Sequence, residues 1–397
     1  MRVIVVGGGV AGAASAVALR RIGAEVTVYE AYADPGGQVG AFVSLASNGL
    51  RGLAALGVLE EVRAAGFAVP RQLMWSGSGR LLGDLPRGRR SDDPLHSVTL
   101  MRGRLVETLR AAAERAGARI VTGERLVDAV ATGTGVRAVF DGGRTAEADL
   151  LVGADGIWSA TRRILDPAAP DPAYAGLYTA SGVARGVAGV EPGTFNMVFG
   201  RAGAFLAIGV PDGSVWWGAQ PAAARAPDLD AVGPDLLAGL YRDEPMPSAV
   251  LRAATETHRP TLHHTMPPVE VWRNDRIVLV GDASHPVGAG QGASMAIEDA
   301  TVLAHALAAA ASVPAGLASY EADRRERTAK LVKMAAANRD AKTAGPVARR
   351  IRDAVMPMAL RLFYERGTAW LYDYRLPELP VSARTPRAAS RSWAPFR

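Results

Sequence analysis

Arg2-Val3-Ile4-Val5-Val6-Gly7-Gly8-Gly9-Val10-Ala11-Gly12 opens a βαβ unit, and its reading decides the fold. The β-branched run predicts a buried strand, and Gly7, Gly9 and Gly12 match G-x-G-x-x-G. Small residues from Ala11 to Ile22 predict a helix, which Gly23 ends. Glycines at these spacings permit a tight turn, let a pyrophosphate approach the backbone and let helix pack closely on strand. Glu25 to Glu30 predicts the second strand, and Glu30 stands where an acid accepts hydrogen bonds from an adenosine ribose. Val10, Ala11 and Ala31 are further candidate cofactor contacts. A glycine-rich turn can also serve only to close the unit. Strand, helix and acid together favour a dinucleotide, either NAD or FAD, which share the motif.

Composition bounds the rest. With 397 residues, 49% hydrophobic and 21% charged, the chain predicts two interlocked globular domains. The absence of cysteine excludes disulfides, thiolate metal sites, cysteine nucleophiles and a cysteine-linked cofactor; no metal is expected. The first residues lack a secretory pattern, which predicts a cytoplasmic protein. Thr301 to Ala318 is apolar but carries His305 and Pro314, so it predicts a packed helix and a turn, with no membrane span. The net charge of +6 is almost all spread arginine, with lysine only at 330, 333 and 342. Nucleic-acid binding would want a clustered patch, so none is expected. Gly-x-Ser-x-Gly, His-Glu-x-x-His and P-loop patterns are all missing.

Further along, Leu50 to Ala65 and Leu100 to Ala116 predict helices, and Ala118 to Val121 a strand. Val136 to Phe140 and Arg144 to Val152 predict a hairpin returning to the nucleotide domain. Between Tyr174 and Val271, aromatic runs and turn signals predict a second, mostly antiparallel sheet, including a hairpin from Ala204 to Ala219. Arg276 to Val280 is again a buried-type strand, and its Gly281-Asp282 ending delivers a carboxylate to the carboxyl end of a parallel sheet. A ribityl or ribose hydroxyl suits it. Gly290-Gln291-Gly292-Ala293-Ser294 then opens a helix to about Ala310, aiming backbone N–H groups at the crevice, where they would stabilise the negative charge of a reduced flavin. Ser319 to Ala344 and a stretch to Tyr372 predict C-terminal helices.

Three separated motifs carry a resemblance. They are Gly7 to Gly12 with Glu30; Leu151-Val152-Gly153-Ala154-Asp155-Gly156-Ile157-Trp158-Ser159-Ala160-Thr161-Arg162; and Gly281-Asp282 through Asp299. In order and spacing the chain resembles the FAD-dependent aromatic hydroxylases, the group A flavoprotein monooxygenases with the para-hydroxybenzoate hydroxylase fold. The resemblance implies non-covalent FAD, with NADH or NADPH as co-substrate. It implies that Asp155 belongs to a segment touching both FAD and NAD(P)H, that Arg102 lies near the FAD pyrophosphate and Leu126 near the adenine. His285-Pro286-Val287-Gly288-Ala289 is shorter than the family stretch, and Ser294 stands where many relatives have asparagine against the ring.

The fold class implied is α/β. A Rossmann-type FAD-binding domain (1–70, 97–172 and 273–318) holds an inserted, mostly antiparallel substrate sheet (71–96 and 173–272). C-terminal helices (319–375) and a flexible tail (376–397) follow. The reaction implied is hydroxylation or epoxidation of a small or polycyclic aromatic through a C4a-hydroperoxyflavin, with O₂ consumed, in bacterial secondary metabolism or catabolism. A flavin reductase or dehydrogenase without oxygen insertion, and a dinucleotide-binding non-enzyme, are the alternatives. Met197, Phe199, Phe205 and Trp217, with Phe195 and Trp216 beside them, are candidates to line an apolar substrate pocket. No catalytic base can be named; His258, His263 and His264 sit at the end of the substrate sheet. The oligomeric expectation is a monomer or homodimer.

Overall fold

The structure, a computed structural model, describes residues 1–33, 42–287, 290–342 and 345–380. Its first layer is a five-stranded parallel sheet in the order Ile277–Leu279, Leu150–Gly153, Arg2–Val6, Glu25–Glu30, Arg119–Thr122. Val3 to Val6 are buried on both faces, as the β-branched run requires of a central parallel strand. The register pairs Val6 with Gly153, and Gly153 with Leu279. Gly7, Ala154-Asp155 and Val280-Gly281-Asp282 therefore leave the sheet at one carboxyl edge, so register brings together motifs far apart in sequence. Helix Val10–Arg21 and helix Gly292–Ala309 pack together on this sheet and share its core with Leu50, Leu53 and Leu105.

A seven-stranded sheet forms the second layer, in the order Ala254–Thr265, Ala173–Arg185, Ser214–Pro221, Gly203–Gly209, Thr194–Phe199, Arg71–Ser76, Leu81–Pro86. Only Thr194–Phe199 against Arg71–Ser76 is parallel. Strands from residues 71–86 thus complete a sheet built from residues 173–265. Side chains alternate across a strand. Phe195, Met197 and Phe199 accordingly share one face with Leu206, Ile208, Trp216 and Gln220, while Val198, Phe205 and Trp217 share the other. Helices Pro234–Leu240 and Pro245–Arg252 cover that second face through Leu237, Tyr241 and Val250. The first face turns toward Phe42 and Phe67, against which Trp216 packs.

Four local differences from the sequence reading have physical causes. Leu100 is in the strand Val98–Met101, and the helix begins only at Arg102 and runs to Arg115. The stretch 50–65 is two helices, Ser47–Leu56 and Leu59–Ala64, separated by left-handed Gly57. The chain from 145 to 153 is two strands, Thr145–Ala148 pairing back on Val136–Phe140 and Leu150–Gly153 joining the parallel sheet. Where composition predicts a flexible tail from 376, Leu376 and Leu379 pack on the first core and Glu378 offers its carbonyl to His305. Residues 381–397 of that tail lie outside the described residues. Helices Val313–Lys342 and Pro346–Tyr372 form the C-terminal layer. Among the described residues, no helix is long and apolar enough to cross a membrane.

Candidate active site

The glycines at the carboxyl edge divide by what surrounds them. Gly7 has φ +96°, and a Cβ there would lie 2.5 Å from the Ala154 carbonyl oxygen; one on Gly12 would lie 1.8 Å from the Gly7 oxygen. Gly281, at φ +60°, lies against Ala11, whose Cβ would be 2.9 Å from an added one. These three weld the first, second and third motifs together. Gly9 has nothing within 4 Å of the Cβ position and precedes helix Val10–Arg21 without a side-chain cap. Its first-turn N–H groups form an open anion cradle. Arg110, on the helix that Arg102 begins, lies against Gly8, where an added Cβ would be 2.6 Å from its Nη2. Sequence reading passed over Arg110.

Glu30 is buried, and its oxygens accept from Gly8 N at 2.7 Å and Tyr32 N at 2.9 Å. It clamps the glycine turn, a role beyond the ribose contact expected, and fixes the half-buried Ala31 beside it. Asp155 is equally committed. Its Oδ1 accepts from Ser159 Oγ at 2.6 Å, and its Oδ2 from Thr161 N and Oγ1, both at 2.9 Å. Arg162 is fully buried and donates to the carbonyls of Ile157 at 2.7 Å and Ala283 at 3.1 Å. It ties the Asp-Gly loop to the Gly-Asp turn. Leu126 packs its side chain in the core with Ile4, Val6 and Phe140, so only its main chain is left for an adenine.

Asp282 reaches water at the floor of the crevice yet is crowded by protein. Lost hydration pushes its carboxyl pKa up, against the pull of His285 and Arg102. Two sequence candidates, Asp282 and the exposed Arg102, thus meet in one field. Gly292 opens its helix beside them, a Cβ there falling 3.6 Å from Asp282 Oδ1. Gly290 has φ +140°, so the turn before that helix needs glycine. Ala293 is half-buried in the same first turn. Ser294 departs from its expected position against a ring. Its buried hydroxyl accepts from Ala46 N at 3.2 Å and faces Gly49, turned into the protein. Of the short loop after His285, residues 288–289 lie outside the described residues.

Behind the turn lies a buried ionic network. Asp299 accepts from Gly281 N at 2.8 Å, His285 Nε2 at 2.6 Å and Arg324 Nε at 2.7 Å. Glu298 accepts from Arg324, Arg327 and Asn48 at 2.7 to 2.8 Å. Burial pushes the Asp299 carboxyl up, but the charges of His285 and Arg324 outweigh it and hold the group at about 2. The third motif's acids therefore hold the turn in place from behind. Sequence reading missed Arg324 and Arg327; the signal that finds them is the pair of adjacent acids, Glu298 and Asp299, in an otherwise apolar helix, which needs buried cations.

The pocket candidates separate. Phe205 and Trp217 are buried in the core beneath helices Pro234–Leu240 and Pro245–Arg252, on the face away from Phe42, so they cannot line the crevice. Phe199 is buried on the Met197 face, in a small core with Met74 and Leu82 under Arg352 that Met197 also packs against. Met197 alone of the four is half-buried on the face that Phe42 and Trp216 share. Polar side chains meet on that face: Lys342, Gln220 and Thr179, which sequence reading missed, and His263, which it named. Lys342 Nζ donates to Gln220 Oε1 at 3.0 Å, Gln220 Nε2 to Thr179 Oγ1 at 3.4 Å, and Thr179 Oγ1 meets His263 Nε2 at 2.6 Å. Burial, then the charges of Lys342 and His264, pull the His263 imidazole down to about 4, so it is neutral at pH 7. His258 is hydrogen-bonded to Ser181 and His264 packs on Trp158.

An open glycine cradle, two uncapped helix N-termini at one crevice and a carboxylate beside an arginine fit a flavin dinucleotide. Comparison with known proteins agrees. The family described as FAD binding domain matches residues 1–335. The aurachin C monooxygenase/isomerase of Stigmatella aurantiaca is 32% identical over 82% of this chain and 86% of its own. The 3-hydroxybenzoate 6-hydroxylase of Klebsiella oxytoca is 29% identical over 94% and 97%. Among solved structures, Klebsiella pneumoniae HpxO complexed with FAD and uric acid superposes with TM-score 0.81 at 24% identity, covering 94% of this chain and 97% of that one, a likeness of fold. The chain belongs to the FAD binding domain family, and it is an FAD-dependent monooxygenase of the aromatic-hydroxylase type, with NAD(P)H as co-substrate.

Proposed function

We propose that the protein oxygenates a small or polycyclic aromatic molecule held between the Met197 face of the seven-stranded sheet and the glycine crevice. One observation carries this reading: the apolar face with Met197, Leu206 and Trp216 adjoins Phe42, whose strand leads to Ala46, hydrogen-bonded to Ser294 in the first turn of helix Gly292–Ala309. The proposed division of the chain is the one given above, with 1–70, 97–172 and 273–318 holding FAD and 71–96 and 173–272 holding substrate. Bound FAD supplies hydride acceptance from NAD(P)H and activation of O₂. The chain's own residues bind and orient. Gly9, Val10 and Ala11 and the first turn from Gly292 offer N–H groups to anionic or electron-rich edges, Arg102 offers positive charge, and Asp282 and Glu30 accept from hydroxyls.

The Met197 face excludes water from the reacting atoms. A cytoplasmic site of action belongs to this reading. So does a homodimer in preference to a monomer, supported by Val347, Ile351, Val355, Met358 and Leu362, exposed along one helix. The test is spectroscopic. Purified protein should show flavin bands that NADPH or NADH bleaches without oxygen, and an aromatic substrate should couple that oxidation to O₂ consumption and a hydroxylated product. Bleaching without any oxygenated product across an aromatic panel would instead favour a flavin reductase.

A further inference from the structure

Among the described residues, two cations on the sheet face that carries Met197 have no carboxylate to neutralise them. Arg87 donates to Gln72 Oε1 and lies 3.6 Å over the Phe195 ring; Lys342 donates to Gln220 Oε1. Both glutamines stand on the sheet face that carries Met197 and Leu206. Among the described residues, neither cation has an acidic partner within 4 Å, although nearly every other interior arginine in this chain does or binds carbonyls. Gly88, next to Arg87, packs on Ala46, which places the guanidinium side of the face next to helix Gly292–Ala309. The other titratable groups facing the pair are His263, through Thr179 and Gln220, and the phenols of Tyr364 and Tyr372. None supplies a negative charge at neutral pH: burial pushes both phenols up.

We propose that Arg87 and Lys342 receive an anionic oxygen group of the substrate, so that the aromatic taken by this enzyme is a carboxylic acid, its ring lying on Met197 and Leu206. A half-buried cation whose partners are an amide oxygen and, for Arg87, an aromatic ring is costly to keep desolvated, and a carboxylate lowers that cost through charge-assisted hydrogen bonds. Lost hydration, then the Arg87 charge, pull Lys342 down to about 8. The inference rests on the oxygenase reading above, but it is tested by binding alone.

The FAD-loaded enzyme is titrated with 3-hydroxybenzoate, anthranilate and quinoline-2-carboxylate, each beside its carboxamide, following the perturbation of the flavin spectrum. At least one acid is expected to bind about tenfold or more tightly than its amide, the scale of one charge-assisted hydrogen bond. Lys342→Met and Arg87→Gln should each erase most of that preference with the flavin spectrum intact, and Lys342→Arg should keep it. Equal affinity for acid and amide, saturation by none of the acids, or a preference that survives both substitutions overturns the anion site. Those outcomes leave the monooxygenase reading standing, since anaerobic bleaching by NAD(P)H reports on it separately. An Arg87→Gln variant that loses FAD is set aside in favour of Lys342→Met, whose side chain lies at the end of a helix.

Discussion

Replacing Arg324 by leucine removes the cation that bridges Glu298 and Asp299 and leaves part of two buried negative charges uncompensated. Breaking a buried pair from one side costs about 3–5 kcal/mol. At roughly 2 °C per kcal/mol for a chain of this size, the melting temperature of the FAD-free protein should fall by roughly 6–10 °C. Asp299 also holds Gly281 N, so the damage should travel to the Gly281-Asp282 turn and speed flavin release, measured as the appearance of free-flavin fluorescence. Adding Asp299→Asn to Arg324→Leu should recover part of the loss, because the amide carries no stranded charge while Glu298 keeps Arg327 as its counter-charge. Acid should mimic the substitution. Asp299 sits near 2 against an ordinary 3.8, so its contribution is complete above the ordinary value and disappears as pH falls through about 2. An Arg324→Leu protein melting within about 2 °C of the parent would refute the reasoning.

Other outcomes follow from the same geometry. Gly12→Ala forces a methyl into the Gly7 carbonyl, and the purified protein should carry little or no flavin by absorbance. Asp282→Asn should weaken FAD retention in dialysis while leaving the FAD-free melting temperature unchanged or raised, because the crowded carboxylate is costly when charged. Asp155→Asn should do the reverse, lowering the FAD-free melting temperature first, since it loses hydrogen bonds worth about 1–3 kcal/mol that order the helix Ala160–Leu165. Trp217→Ala should cost about 3–5 kcal/mol in urea unfolding as a core cavity, with aromatic-stimulated NAD(P)H oxidation retained in the folded fraction.

Much of this architecture was legible because it rests on local signals. The run Val3 to Val6, the glycines after it and Glu30 each announce their place through sterics and periodicity, and the parallel register then gathers the three motifs at one edge. The face of a side chain in the second sheet was not legible. Phe205 and Met197 look alike as apolar residues in strands, and only the pairing of Val198 with Phe205 and the helices from Pro234 to Arg252 decide which of them turns to the crevice. Lys342 was illegible for another reason. It is 122 residues from Gln220, and nothing in a helix-ending Ala341-Lys342 says that its ammonium turns onto a sheet.

The acids of the three motifs illustrate why residue type at a motif position under-determines its task. Glu30, Asp155 and Asp299 each use both oxygens on groups of this chain: Gly8 and Tyr32, Ser159 and Thr161, Gly281 and Arg324. Each joins a turn at the sheet edge to an element behind it, and together they fix the Gly7, Asp155 and Gly281 turns against one another. Asp282 differs: among the described residues it has no such partners, and lost hydration raises its pKa, so both its oxygens are open to a ligand where Glu30 has only its remaining lone pairs to offer. The same contrast holds among the cations. Arg162, Arg324 and Arg327 are consumed by carbonyls and carboxylates, whereas Arg102 at the crevice, and Arg87 and Lys342 on the sheet face, keep charge for something that arrives. A preorganised shell whose charges are already satisfied, enclosing a few that are not, is the arrangement that lets binding supply the missing partners without reorganising the turns.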